Sequence, residues 1–253
     1  MNNKYANNLS CFVRGFTLIE LAMVMMIIGL LLGGLIPTIS SQIELKRTSE
    51  TRQQLEEIQQ ALLGFAIVNG RLPCPAIAGS NGEENPIGGG NCSNFYNGFV
   101  PAATLGLSTR NEQGLALDAW SNPIHYAVTQ VNSNAYTTSN KMATTGISSL
   151  SPNLLVCNTG VGIDASSCAT GSALTADPGV PVVLYSLGKN GGSGGTSTDE
   201  AANPNPNSAD NNRTFVSHTP TDSSSANGEF DDIVIWISNP HLLNRMVSAG
   251  KLP

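Results

Sequence analysis

Hydrophobic and polar positions divide the chain into three regimes. From Leu21 to Ile36 no side chain is polar, and across Phe16–Ile36, 21 residues, only Thr17 and Glu20 interrupt the apolar character. A run of that length matches the roughly 20 residues that a helix needs to cross a bilayer. Beyond Pro37 the pattern becomes amphipathic. Leu55, Ile58, Leu62 and Phe65 recur at helical spacing, with Ala61 widening the stripe, while Arg52, Gln53, Glu56, Glu57 and Gln60 take the other face. Asn69 and Gly70 suit a helix C-terminus, and Pro73 and Pro75 prevent continuation. After Pro75 the chain is rich in turns, with three strand signals: Ile124–Gln130, Val182–Leu187 and Ile233–Ile237. The segment from Gly188 to Gly228 is almost free of large apolar residues and reads as a long loop. The expected fold class is α+β, a long N-terminal helix packed by its amphipathic half on a small antiparallel sheet.

A helix from Phe16 to Val68 would reach roughly 80 Å at 1.5 Å per residue, well beyond a hydrocarbon core of about 30 Å. Half of it must therefore lie outside any bilayer. Gly29 and Gly33 form a G-x-x-x-G pair, and with Gly34 and Pro37 they mark the flexible part of the helix. The first fifteen residues carry Lys4 and Arg14 and no acid, so the leader is expected to remain cytoplasmic while the C-terminal domain crosses. This predicts a single-pass inner-membrane protein with its domain in the periplasm.

Composition agrees with one domain after the helix. The chain has 253 residues, a net charge of −6 and only 12% charged residues. Its Lys and Arg are scattered among more numerous acids, so no basic face for nucleic acid is evident. Cys74, Cys92, Cys157 and Cys168 follow the apolar run, an even set suited to an oxidising compartment. Four cysteines allow three pairings. Cys74 with Cys92 and Cys157 with Cys168 are the expected pairs, each closing a Gly-rich loop; a four-cysteine zinc site has no C-x-x-C knuckle to support it. His125, His218 and His241 lie far apart and outside recognisable catalytic motifs, and no phosphate loop or nucleophile elbow occurs. No enzymatic activity is expected.

The string Gly15-Phe16-Thr17-Leu18-Ile19-Glu20-Leu21 resembles the processing signal of type IV pilins and type II secretion pseudopilins. The likeness joins a basic residue before the cut, Gly at it, Phe after it, an acid as fifth residue of the mature chain and the apolar run. Pro37, twenty-second after the cut, also stands where many pilins carry proline. The resemblance implies cleavage after Gly15 by a prepilin peptidase and methylation of Phe16. It implies a pilin-like fold and filament assembly with itself and other pilins or pseudopilins, on an inner-membrane platform. Glu20 would pair with the α-amine of a neighbouring subunit. The implied organisation is a leader (1–15), a transmembrane and filament-core half-helix (16–39), an amphipathic half-helix (40–70) and a periplasmic domain (71–253) containing the loop 188–228. The alternative is a membrane-tethered binding or adhesion domain that does not polymerise.

Two internal segments extend the resemblance. Asp118-Ala119-Trp120-Ser121-Asn122-Pro123-Ile124-His125-Tyr126 is similar to the D-x-W-x-N-P-x-x-Y segment of major pseudopilins, and Leu184–Gly191 to their Y-S-x-G-x-D-G loop. In those proteins the loop holds Ca²⁺, a hard cation that takes 6 to 8 oxygen ligands. Here the implied ligands are the Leu187 carbonyl, Asn190 and Asp231-Asp232, with Asp199 or Glu200 replacing the acid that Asn190 displaces.

Overall fold

The computed structural model describes residues 15–193, 195, 197–203 and 212–253, and leaves the side chains of 32–40 undescribed. Helix and sheet are mixed in an α+β arrangement. Helix α1 covers Leu18–Asn69, and the chain separates into two compact units, Met1–Lys46 and Arg47–Pro253. Apart from Gly15, the expected leader lies outside the described residues. In the first unit the large apolar side chains from Leu18 to Leu31 are 42–88% exposed. Among the described residues no helix is long and apolar enough to cross a membrane, which overturns the single-pass inner-membrane placement expected above. A Cβ at Gly29 would meet nothing within 4 Å, whereas the surroundings of Gly33, Gly34 and Pro37 lie outside the described residues.

The second unit begins with the amphipathic part of α1. Thr51, Leu55, Ile58, Leu62, Leu63 and Ala66 are buried, and the half-buried Phe65 instead supports the Arg71 guanidinium, 5.1 Å from its ring centre. The helix ends where Gly70 turns to φ +66° and donates its N–H to Ala66 O. A Cβ at Gly70 would press on the Asn140 side chain, so glycine serves both the left-handed turn and the close approach.

Strands β1 (Gly98–Phe99), β2 (His125–Val128), β4 (Val182–Ser186) and β6 (Ile233–Ile237) form one antiparallel sheet in the order β1-β2-β4-β6. β4 is central and wholly buried, which accounts for its continuous Val-Val-Leu-Tyr run. β3 (Leu155–Cys157) and β5 (Thr214–Val216) pair in parallel as a second, two-stranded sheet. The predicted loop 188–228 thus contributes a strand and a 3₁₀ turn, Glu200–Ala202. Three residues are too few to stand out from polar flanks, and only pairing with β3 makes β5 a strand. α2 (Lys141–Thr145) is short; α3 (Asn239–Ser248) has Pro240 in its first turn and buries Leu242, Leu243 and Met246.

Bonds outside the strand ladders hold the connections. Arg71 meets Glu84 through two hydrogen bonds of 2.7 and 2.6 Å, and Glu84 also accepts from the N–H groups of Cys74 and Gly88. Cys74 is bridged to Cys92 and Cys157 to Cys168.

On β2, His125 lies between the rings of Phe99 and Tyr185, and its Nδ1 is buried without a partner. Burial pushes its pKa down to about 4, so the fold keeps the ring neutral. An unfolded histidine takes up its proton near pH 6.5. The stability from keeping this ring neutral is therefore complete above about pH 6.5 and declines as pH falls towards about 4. Urea midpoints of wild type and His125→Phe, compared from pH 7 to pH 4, should diverge as the wild type alone loses this component. Identical pH slopes would show that His125 does not titrate in this way.

Candidate functional site

Two groups of chemistry-bearing residues stand out. The first is the start of α1. Gly15, Phe16 and Thr17 precede the helix and are exposed, so the Gly15–Phe16 bond lies outside helical structure, as a peptidase requires. Thr17 is the N-cap. Its N–H and hydroxyl donate to Glu20 Oε2 at 2.9 and 2.8 Å, and the Glu20 N–H returns a bond to Thr17 Oγ1 at 3.3 Å. This reciprocal pairing is a capping box, which satisfies helix N–H groups that would otherwise lack partners. Thr-x-x-Glu ahead of an apolar run is its sequence signature, and the pilin resemblance alone does not predict it.

The second group lies where β4 leaves the sheet, in a turn set by the two resemblance segments together. Asp118 accepts the Trp120 and Asn122 N–H groups on Oδ1 and the Ser186 hydroxyl, 2.6 Å away, on Oδ2. Burial raises the Asp118 pKa, and these hydrogen bonds oppose the rise. Asn122 Nδ2 then donates to Gly188 O at 2.7 Å, and the Gly188 N–H to Ser186 Oγ. Gly188 has φ +60°, and a Cβ there would collide with Asp231. The Asp-x-Trp-x-Asn-Pro segment therefore acts as a clamp that sets the β4 turn against the entrance to β6.

Against that turn, one oxygen each of Glu200, Asp231 and Asp232 lies within 4.8 Å of the others. Asp231 Oδ2 accepts the Lys189 N–H, Glu200 Oε1 accepts from Asn190 Nδ2 and the Asp231 N–H, and Asp232 Oδ2 accepts from Asn203 Nδ2. Asp231 Oδ1 and Asp232 Oδ1 are buried and accept no hydrogen bond. Burial, then the Glu200 charge, pushes the Asp231 pKa up to about 6. Burial pushes Asp232 up to about 8, with the charges of Glu200 and Asp231 adding to it and the Asn203 bond opposing it. Three converging carboxylates with two unsatisfied oxygens fit a hard divalent cation that binds through oxygen. Glu200, Asp231 and Asp232 would hold it, and the cation would meet the two carboxylate oxygens of Asp231 and Asp232 that accept no hydrogen bond.

The other expected ligands are placed differently. Leu187 immediately precedes the Gly188 turn, and Asn190 turns its amide nitrogen towards Glu200. Asp199 faces away from the cluster: Oδ1 accepts the Gly160 N–H and the Thr159 hydroxyl, and Oδ2 meets His218 Nε2 and Asn227 Nδ2. His218 stacks on Phe230 with ring centres 3.9 Å apart, beside an open polar cleft of about 290 Å³. Of the two adjacent acids, Glu200 therefore joins the cluster.

Comparison with protein-family models, curated proteins and solved structures returns no match.

A cation at the cluster stabilises the folded chain by RT ln(1 + [L]/Kd), which at one hundred times Kd raises the melting temperature of a chain this size by about 5–10 °C. Replacing chelator by calcium should produce such a shift in the wild type and none in the double variant Asp231→Ala, Asp232→Ala. Equal melting temperatures with chelator and with saturating calcium would remove the calcium reading.

Proposed function

We propose that the chain is a structural subunit of a filament of the type IV pilus or type II secretion pseudopilus kind, with a pilin-like fold. Prepilin peptidase cuts it after Gly15, Phe16 becomes the methylated N-terminus, and the helix packs against copies of itself and other pilin-like subunits. The observation that carries this reading is the apolar surface of α1 between Leu18 and Leu31, where eleven large apolar side chains are 42–88% exposed. An apolar patch of this extent, broken only by the charge of Glu20 near its start, is characteristic of an interaction surface. Helices of like chains cover one another's side chains without any other partner. The amphipathic part of α1 in the core, antiparallel strands beside it and the Gly15-Phe16 motif at an accessible position support the same reading.

Glu20 has a defined task in this scheme. Within one chain its carboxylate is held by Thr17. Once the Gly15–Phe16 bond is cut, the α-amine of a neighbouring Phe16 is a stronger partner, because the pair is then ionic and away from water. Removing one member of such a buried pair typically costs about 3–5 kcal/mol.

Amino-terminal sequencing of the mature protein should start at N-methylated Phe16, and a mature chain that still begins at Met1 would defeat the filament reading. Two substitutions separate pairing from capping. Glu20→Gln retains the hydrogen bonds of a capping box without the charge, whereas Glu20→Ala loses both. If charge pairing drives assembly, both variants are still cleaved, and in a pelleting assay both enter filaments at a small fraction of the wild-type level. Wild-type assembly of Glu20→Gln would leave capping, and not pairing, as the task of Glu20.

A further inference from the structure

Asn203 directly follows the 3₁₀ turn that carries Glu200 and is fully buried. Its backbone N–H donates to Glu200 O at 3.0 Å, closing that turn. Its side chain pairs with the backbone of Val216 at the end of β5: Oδ1 accepts the Val216 N–H at 2.7 Å, and Nδ2 donates to Val216 O at 2.9 Å. The second Nδ2 proton goes to Asp232 Oδ2 at 2.6 Å. The amide has one possible orientation, because turning it over would set its NH₂ against the Val216 N–H and its oxygen against two acceptors. Every hydrogen-bonding proton of the side chain is used.

We infer that Asn203 is the positioning residue of the cation site, fixing the Asp232 carboxylate by one oxygen and the Glu200 turn by its backbone while it docks both on β5. The inference rests on the calcium reading of Glu200, Asp231 and Asp232. Pairing with Val216 alone would be enough to fasten the chain at 203, and the additional N–H on Asp232 acts on the site. The bond occupies Oδ2 and leaves Oδ1, which has no other partner, for a cation. A neutral amide suits this place. A lysine or arginine would hold the carboxylate equally well but would cancel the charge that attracts the metal, and a serine would not reach both Val216 and Asp232. Groups that orient metal ligands in this way typically account for about 10–100-fold in affinity.

Isothermal titration calorimetry of the full chain in detergent with calcium chloride, wild type against Asn203→Leu, tests the inference. The expected result is a calcium Kd at least tenfold weaker in the variant, with a smaller calcium-dependent rise in melting temperature. An unchanged Kd, with melting temperature lowered equally in chelator and in calcium, would make Asn203 a structural residue only and overturn the inference while the calcium reading stands. A wild type that binds no calcium would overturn both. Should Asn203→Leu fail to fold in chelator, the wild type decides through the NMR resonances of the Asn203 side-chain NH₂. Movement with the calorimetric midpoint supports the inference, and resonances unmoved at saturating calcium overturn it.

Discussion

A carboxylate withdrawn from water has to be met by donors or by a cation, and the long connections of this fold are arranged around that requirement. The strands are only two to five residues long, so most of the chain lies outside the ladders. Glu84 draws Arg71, Cys74 and Gly88 together after α1. Asp118 joins its own turn to the end of β4. Asp199 collects donors from Thr159, Gly160, His218 and Asn227. Each acid replaces the ladder bonds that a longer strand would have provided. Asp231 and Asp232 depart from this pattern, since each retains a buried oxygen without a donor. That departure, more than the number of acids, marks the cluster as the candidate cation site.

The two units satisfy their apolar surface in different ways. In the second unit the stripe of α1 from Thr51 to Ala66 is buried in the same core as β2, β4, β6 and α3. In the first unit side chains of the same kind are exposed around the helix. The hydrophobic effect is non-directional, so it favours covering this surface without specifying register. A single acid in an apolar helix supplies the missing direction, because it has few places where it can find a positive partner. In the filament reading, apolar area drives association and Glu20 sets how neighbours align.

Segment 188–228 joins the two themes. The acidic turn at one side of it and β5 within it are tied through Asn203, which touches Val216 and Asp232 at once. The segment that reads as a long loop thus supplies Glu200 to the cluster and a strand to the second sheet. Glu200 brings the third carboxylate of the cluster, and the Asn190 amide supplies it with a hydrogen bond.

Local pattern alone determined the α+β class, the amphipathic stripe of α1 and the strands β2, β4 and β6, because side-chain periodicity and β-branched runs are properties of neighbouring residues. Of the three possible cysteine pairings, the one that forms is the short-range set expected from the sequence, which pattern alone did not single out. α3 carried a readable signal in Ser238, Pro240 and the spacing of Leu242 and Met246, and Thr17 with Glu20 carried another, but both are brief. Tertiary structure decided the rest. β1, β3 and β5 are too short to have a period, and become strands only through partners 26 to 59 residues away. The choice of Glu200 over Asp199 depended on which side of one 3₁₀ turn faces β6. Asn203 acquired its position from β5 and Asp232, contacts across 13 and 29 residues that no local pattern encodes. Where an interaction joins residues distant in sequence, its energy depends on the closure of the whole chain, and only the folded chain shows it.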